Sequence, residues 1–541
     1  MLRLPSALAV AAGVVAVLIA VPVLAVASSL LDGGTGEIWR HLLDTVLPRY
    51  LINTLILCGV VGVGVSVIGV GTAWATTMLE FPGRRFFDWA LILPLAVPAY
   101  IMAYVYTDFF QFVGPFQTWL RDTFGWTRAD YWFPDVRTLG GACAMFIFVF
   151  YPYVYMLARS AFLERAGAML DAGQSLGLSP WASFWRISLP LARPAIVAGL
   201  ALVMMETLAD YGTVQYFAVQ TFTTGIYRAW FSLGDRVAAA QLATGLLVVV
   251  ALVLLLERAS RGRARYAAGG KHRPVRRMRL GRVGAWSVAA ACAAPLFFGF
   301  ILPAGLLLHM AITQGDAQFG ERYFRLVRNS ALLAGVTAAV AVVLALVLTY
   351  NARATRSKLA VFFNRVVGLG YAVPGAVIAV GVLIPVARLD NWLAATIQSA
   401  TGHNPGLLLT GGIFALVYAY LVRYLTVALQ GVEGGLLKVT PNMDDAAQSL
   451  GSSRMDIMRR VHWPLLRGSL LTTALLVFVD VMKELPATLV MRPFNFDTLA
   501  TQANILASDQ RLAEASTASL TIVAVGLLPV IVLSRRITAS R

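Results

Sequence analysis

An all-α integral membrane protein of twelve transmembrane helices, in two homologous six-helix halves, is the fold that three features of this chain predict. Its 541 residues are 58% hydrophobic and only 13% charged, too apolar for a soluble chain of this size. The apolar residues gather into runs of about 20, the length a helix needs to cross a bilayer. These runs are continuous rather than alternating, which selects helices over a barrel. Finally, one polar stretch occurs twice with its internal spacing intact.

Spans are expected near 7–28, 50–78, 87–109, 139–160, 191–213, 237–256, 284–311, 329–353, 361–388, 407–428, 465–488 and 514–534. Residues 7–28 follow Arg3 and have the outline of a signal peptide, but the run is long and has no clear cleavage site, so it is read as the first span. An even number of spans puts both termini on one side. Arg3, Arg535, Arg536 and Arg541 make that side cytoplasmic. Gly83-Arg84-Arg85 and the group Arg353, Arg356 and Lys358 then fall inside, whereas residues 110–138, with Asp122, Asp130 and Asp135, fall outside. The most basic segment, Arg258 to Arg282, also falls inside. It is Gly-rich and reads as a linker over 266–283 between halves at 1–265 and 284–541.

The net charge of +17 raises the question of nucleic acid. Basic residues clustered in the loops between apolar runs are instead a topology signal, with membrane lipid and its anionic headgroups as the contact. Cys58, Cys143 and Cys292 lack metal-ligand spacing and read as small core residues. His41, His272, His309, His403 and His462 form no ligand-spaced pair, so no metal site is assigned.

The repeated stretch is Asp171-Ala172-Gly173, then Gly177, then Ile187-Ser188-Leu189-Pro190; its second copy is Asp445-Ala446-Ala447, then Gly451, then Val461-His462-Trp463-Pro464. Both copies are polar islands expected on the cytoplasmic side, near 165–190 and 439–464. Asp171 suits a helix start, where its charge meets the N-terminal dipole. Gly177 permits a sharp turn, and Pro190 and Pro194 open the next span. A short helix held between two spans can transmit a push from a soluble partner. The alternative is an ordinary connecting loop, but loops drift in spacing faster than packed elements do. The repeat runs further: Asn53-Thr54 matches Asn329-Ser330 and Ala96-Val97-Pro98 matches Ala372-Val373-Pro374, both shifted by 276 residues, against 274 at the polar stretch. Six spans per half give both halves the same orientation, with a pseudo-two-fold axis along the membrane normal and a pathway between them.

Glu206 and Asp210, shifted by 274, meet Asp480 and Glu484. Each pair is four residues apart, on one helix face. Intramembrane carboxylates cost about 2.5–3.5 kcal/mol each on insertion scales and mark a pathway or a pair. Four of them at symmetric positions are a candidate entry for a hard, oxygen-preferring cation. The competing reading is structural pairing, as of Glu484 with Lys483 or Arg492, or water exposure near the helix end. Phe222-Thr223-Thr224 and Phe496-Asp497-Thr498 also match, with no function read from the residues. Tyr100, Tyr104 and Tyr106 read as an aromatic belt at the outer edge in preference to iron ligands. His462 reads as a contact residue of the second polar stretch.

The repeated pattern resembles the "EAA" cytoplasmic loop of permease subunits of bacterial ABC importers, with Asp171 and Asp445 in place of the first acidic residue and Gly177 and Gly451 as its glycine. The first copy departs at Gly173, where the family has Ala, and the second at Val461 and Trp463. The resemblance covers nearly the whole chain. It implies the type I importer permease fold, and it implies that each loop forms a coupling helix docking into an ATP-binding subunit. The coupling residues would be Asp171, Ala172, Gly173, Gly177, Pro190, Asp445, Ala446, Ala447, Gly451 and Pro464. The chain has no G-x-x-x-x-G-K-[ST] loop, so it is expected to bind no ATP, hold no cofactor and catalyse nothing. ATP and magnesium belong to two copies of a partner ATPase, and a periplasmic binding protein delivers the substrate to a multi-pass inner-membrane permease.

The substrate subclass comes from the same source. Leu93-Pro94-Leu95-Ala96-Val97-Pro98-Ala99-Tyr100, Lys483-Glu484-Leu485-Pro486-Ala487-Thr488 and Phe494-Asn495-Phe496-Asp497-Thr498-Leu499-Ala500-Thr501 look like the fused ferric-iron importer permeases, with thiamine and phosphonate permeases as near relatives. A twelve-helix secondary transporter is the rival, but it leaves the paired loops without a purpose. A membrane enzyme would need a clustered catalytic set, and neither metal-ligand spacing nor a nucleophile–base pair is present.

Overall fold

The computed structural model describes residues 7–31, 40, 42–175, 177–261, 277–313, 320–355, 357–437 and 439–539. In chain order its main helices are α1 (Ala7–Ser28), α2 (Leu47–Met78), α3 (Ala99–Phe110), α4 (Leu139–Ser175), α5 (Leu189–Ala209), α6 (Gly212–Tyr216), α7 (Arg236–Arg261), α8 (Leu302–Thr313), α9 (Glu321–Thr355), α10 (Lys358–Gly368), α11 (Gly375–Thr401), α12 (Phe414–Leu436), α13 (Pro441–Ser449), α14 (Trp463–Met482), α15 (Pro486–Met491) and α16 (Leu512–Ala539). Among the described residues, β structure is limited to a parallel pairing of Leu79–Glu80 with Met278–Arg279. Among the described residues, eleven helices are long and apolar enough to cross a membrane. One further pair, Arg84–Ala96 with Ala99–Phe124, is bent by 90° and, counted as one broken span, would bring the number to twelve.

The spans expected at 87–109 and 361–388 are not continuous helices. Each is broken at the matched Ala-Val-Pro. A 3₁₀ turn (Leu93–Ala96 or Gly370–Ala372) leads into Val97 or Val373 in extended conformation, and the helix restarts after Pro98 or Pro374. Proline forces this: it lacks an N–H, and its ring drives the preceding residue out of the helical region. The spans expected at 191–213 and 465–488 end earlier, at Ala209 and Met482, where Asp210 and Glu484 redirect the chain. Below those spans the helix carries a five-residue π turn at Phe184–Ser188 and at Met458–His462. Each turn lies just ahead of Pro190 or Pro464, where the ring displaces the ordinary i→i−4 bond.

Contacts divide the chain into two compact units. One comprises Arg40–Gly225, Leu246–Asp316 and Ala503–Arg541; the other comprises Met1–Trp39, Ile226–Gly245 and Ala317–Gln502. Packing and repeat therefore follow different lines. Helix α1 comes from the first half in sequence yet packs on α9, α10 and α11. Helices α8 and α16, from the second half, belong to the unit built on α2 to α5.

Helix α2 shows how the apolar runs are used. Ile52, Leu55, Ile56, Val60, Val63 and Val67 are exposed on one face, while Thr54, Leu57, Val61, Val65, Thr72 and Thr76 are buried on the other. Both faces are apolar enough for lipid, so the association rests on close packing more than on hydrophobic burial. A Cβ on Gly69 would fall 2.9 Å from the Tyr151 carbonyl oxygen, and one on Gly199 would fall 3.0 Å from the Val154 Cα. Helices α2 and α5 thus both press their backbones onto α4.

A polar tie, buried in the first half and part-buried in the second, recurs ahead of each break. In the first half Arg159 Nε of α4 donates to Asp88 Oδ1 at 2.6 Å. In the second half Asn364 Nδ2 donates to Glu433 Oε1 of α12 at 2.8 Å. Asp88 and Asn364 are matched by the repeat, as are Arg159 and Glu433, so the link is kept while its charges are exchanged. Arg159→Met should take from the Asp88 carboxylate its ion-pair partner on α4 and cost about 1.5–3 kcal/mol, read as a lower melting temperature of the purified protein in nanodiscs. The double variant Asp88→Asn with Arg159→Glu installs the second half's pair and should recover most of the loss. An unchanged melting temperature for Arg159→Met would show that the tie carries no load.

Candidate functional site

The two repeated stretches form loops of matched backbone. Gly177 and Gly451 both adopt left-handed φ, +76° and +81°, with nothing within 4 Å of the position a Cβ would take. The sharp turn expected at each is present, and it needs glycine for its backbone rather than for space. After the turn, Ser179 Oγ accepts from Ala182 N at 3.2 Å and Ser453 Oγ accepts from Asp456 N at 3.2 Å. Asp456 Oδ2 in return accepts from Ser453 N and Oγ, which completes a capping box. Pro190 and Pro464 lie in the first turn of α5 and α14.

Ahead of the turn the copies differ. In the second, α13 starts at Pro441 with Asp444 in its first turn, and Asp445 and Ala446 are exposed. The motif acid Asp445 thus lies four residues inside its helix, and the helix start expected at Asp171 is corrected by the first copy. In the first copy Asp171, Ala172 and Gly173 belong to the last turns of α4, which runs on to Ser175; their side chains lie outside the described residues.

The second loop is tied into the span ends by a polar network. Asp444 Oδ2 accepts from Arg353 Nη2 at 2.6 Å, and Asp444 Oδ1 lies 2.7 Å from His462 Nε2. Arg353 Nη1 also donates to the Val439 carbonyl at 2.9 Å, and His462 Nδ1 lies 2.7 Å from the Tyr350 hydroxyl. Burial opposes charge on Asp444. The hydrogen bonds from His462 and Arg353, with their charges, outweigh it and hold the carboxyl below the ordinary aspartate range. His462 is thus a contact residue, as expected, though its contacts are internal. Around the first loop the matched place is aromatic: Trp74 lies 5.1 Å from Phe184, which stacks on Trp181 at 5.7 Å. Trp181 and Trp185 remain 62% and 53% exposed, and Leu450 at the second turn is 86% exposed. Large apolar groups at the rim of polar loops are the composition of a docking surface.

The four acids separate into two kinds. Asp210 closes α5 and accepts from the Thr213 and Val214 amides at 2.9 and 3.3 Å and from the Thr213 hydroxyl at 3.1 Å, which starts α6. Glu484 accepts from the Ala487 and Thr488 amides at 2.9 and 3.1 Å and from the Thr488 hydroxyl at 2.6 Å, which starts α15. A Cβ on Gly375 would sit 2.9 Å from Glu484 Oε1, so the carboxylate also meets the start of α11, where the helix dipole favours a negative charge. Asp210 and Glu484 are caps in which most of the oxygen valence is already used. Asp480 pairs with Lys483 at 2.9 Å, and Arg492 pairs with Asp497. The two partners offered for Glu484 in the sequence reading thus serve other acids. Glu206 is half-buried one turn before Asp210.

The matched motifs without a function in the sequence reading find one here. Asn53 Nδ2 donates to the Gln220 carbonyl at 2.9 Å, and Asn329 Nδ2 to the Asp497 carbonyl at 3.1 Å. Ser330 Oγ accepts from Leu499 N at 2.9 Å, and Thr223 Oγ1 donates to the Asp210 carbonyl at 2.8 Å. These side chains pin the Phe-x-Thr loops to the second span of each half and to the capping acid. The aromatic-belt reading of Tyr100, Tyr104 and Tyr106 is corrected, because all three are buried. Tyr104 Oη donates to Asn504 Oδ1 at 2.6 Å, and Tyr106 Oη donates to the Phe298 carbonyl. Among the described residues no group of three His, Cys, Asp or Glu could hold a metal ion.

Caps and path groups respond differently to amide substitution. Asp210→Asn and Glu484→Gln keep an acceptor oxygen and should leave the melting temperature nearly unchanged, whereas Asp210→Ala and Glu484→Ala should each cost about 1–2 kcal/mol. Thermal unfolding in detergent decides this; equal losses for amide and alanine would remove the capping role.

Comparison with known proteins agrees with this geometry. Residues 65–265 match the family model of the binding-protein-dependent transport system inner membrane component. The chain is 28% identical over 500 residues to the Fe(3+)-transport system permease protein FbpB 2 of Haemophilus influenzae, covering 90% of each. It is 23% identical over 492 residues to the ferric transport system permease protein FbpB of Actinobacillus pleuropneumoniae, covering 85% of this chain and 67% of that one. The sulfate transport system permease protein CysT of Escherichia coli matches at 28% over 209 residues, 38% of this chain and 71% of that protein. With two matched sets of spans and loops in one polypeptide, the chain is similar over most of its length to binding-protein-dependent inner-membrane permeases of importers in a fused two-half form.

Proposed function

We propose that this permease moves ferric iron, delivered by a periplasmic binding protein, into the cytoplasm by alternating access powered by separate ATPase subunits. The observation that carries the reading is the pair of loops at Gly177 and Gly451, matched in backbone, in one chain that is similar over 90% of its length to a ferric permease. Basic residues between the spans support a topology with both termini and both loops in the cytoplasm. Two copies of an ATP-binding subunit would then grip Asp171–Gly177 and Asp445–Gly451, with ATP and magnesium held by those partners.

Closure of the ATPase pair would push both loops. Each loop leads through a π turn into α5 or α14, and each of those helices ends at a capping acid that starts a short helix beside the broken span. A displacement at one end therefore has a continuous helical route to the other. Along that route Glu206 and Asp480 remain candidates to meet a hard cation, while Asp210 and Glu484 hold the scaffold around them. The similarity to a sulfate permease favours a second reading, the same importer class carrying an oxyanion.

Uptake of radioactive ferric iron into vesicles holding this chain with an ATPase and binding protein tests the proposal. ATP-dependent uptake that ignores sulfate, thiamine and phosphonate is expected. Competition by sulfate would move the substrate to an oxyanion, and uptake driven by an ion gradient alone would end the ABC mechanism for this chain. Gly177→Val and Gly451→Val should each strain the turn by about 1–3 kcal/mol and lower iron moved per ATP hydrolysed while membrane insertion persists. Glu206→Gln with Asp480→Asn should slow uptake at limiting iron by about tenfold; unchanged uptake would remove both from the path.

A further inference from the structure

The repeat allows each residue of the second loop's polar network to be compared with its counterpart in the first half. Tyr350 matches Trp74, and Arg353 matches Thr77, at a shift of 276 residues; Asp444 matches Leu170, and His462 matches Ser188, at a shift of 274. None of the four counterparts preserves the charge or the imidazole. Thr77 Oγ1 donates back to the Ala73 carbonyl of its own helix at 2.8 Å. Ser188 Oγ is buried with no hydrogen-bond partner among the described residues. Trp74 packs on Phe184 at 5.1 Å.

In the second half one carboxylate, on the first turn of the loop helix, is held from two directions. Arg353 reaches it from the end of α9, and His462 from the π turn at the foot of α14, with contacts of 2.6 and 2.7 Å. Arg353 also holds the Val439 carbonyl, two residues before α13 starts. With Asp444 ionised, the proton on His462 Nε2 points at it, and Nδ1 meets the Tyr350 hydroxyl, so the imidazole is fixed at both nitrogens. Charge-assisted bonds of this length, half-buried, resist displacement more than rim contacts do.

We propose that Arg353 and His462 are positioning residues that lock the second coupling helix, through Asp444, to the feet of α9 and α14, so that this loop moves as one body with two spans. The second coupling loop then transmits a push rigidly to α9 and α14. The inference rests on the reading of both loops as ATPase contacts.

The test gives the second half the first half's residues. Asp444→Leu, alone and with Arg353→Thr and His462→Ser, is made in the full chain with a spin label at exposed Gln448. Mobility of the label in the reconstituted permease alone reports the lock without reference to any partner. Iron uptake per ATP hydrolysed in the complete importer reports coupling. The lock predicts a loosened label and a fall of about fivefold in uptake per ATP, with His462→Gln, which keeps an N–H donor for Asp444, recovering most of both. A label as immobile in Asp444→Leu as in the unaltered chain overturns the lock. A loosened label with unchanged uptake per ATP overturns its part in coupling. If a cysteine at 448 crosslinks to no ATPase subunit, the underlying reading of the loop fails, whatever the label shows. Should Asp444→Leu not fold, Arg353→Thr and His462→Ser with the same label carry the same test.

Discussion

A bilayer offers no water to an unpaired backbone group, and the irregular parts of this protein are organised around that constraint. Twice the third span of a half is unwound at Ala-Val-Pro, and twice the fifth ends in mid-course. At each ending an acid is present to accept the freed amides: Asp210 for α6 and Glu484 for α15. Asn53 and Asn329 then satisfy the carbonyls of the loops that follow. The carboxylates Asp210 and Glu484 are in this respect what makes a broken helix affordable.

The two halves keep geometry more strictly than chemistry. The tie ahead of each break is an ion pair in one half and an amide–carboxylate bond in the other, at nearly the same length, 2.6 and 2.8 Å. The turn at the loop is glycine in both, because left-handed φ admits little else. Beside the turn, where any firm contact will seat the loop, an aromatic cluster serves one half and an Asp–His–Arg network the other. Duplicated sequence drifts where several chemistries meet one mechanical need and stays where the backbone allows a single solution.

Much of this was legible in the chain. The spans are long apolar runs, and eleven of the twelve expected positions carry such a helix among the described residues, because crossing a bilayer demands a fixed length of helix. The glycine turns and the helix-opening prolines were legible because each residue type limits its own backbone. Other features were not. Tyr100, Tyr104 and Tyr106 read as an interface belt, since tyrosine at a span's edge is common there. Only packing shows that Asn504 and the Phe298 carbonyl receive two of their hydroxyls. Asp210 and Glu484 read as path groups because their partners are amides of the next few residues, and amides carry no signature in sequence. A Pro two residues after Glu484 was the available signal that a new helix starts there.

By itself the sequence determined the class: membrane spans, a duplication, and two polar loops of equal spacing. Each follows from local properties, namely hydropathy, self-similarity and the backbone limits of Gly and Pro. Tertiary structure alone decided the packing partners, joining α1 to α9, α10 and α11 and placing α8 and α16 with α2 to α5. It also decided that Arg353, Asp444 and His462 meet, although 91 and 18 residues separate the outer two from the aspartate. The reason is physical. In an apolar solvent nearly every span face is equally greasy, so hydropathy does not say which faces touch. That choice belongs to small residues at points of close approach and to a few polar groups with no other partner, and both depend on how the helices are arranged in space.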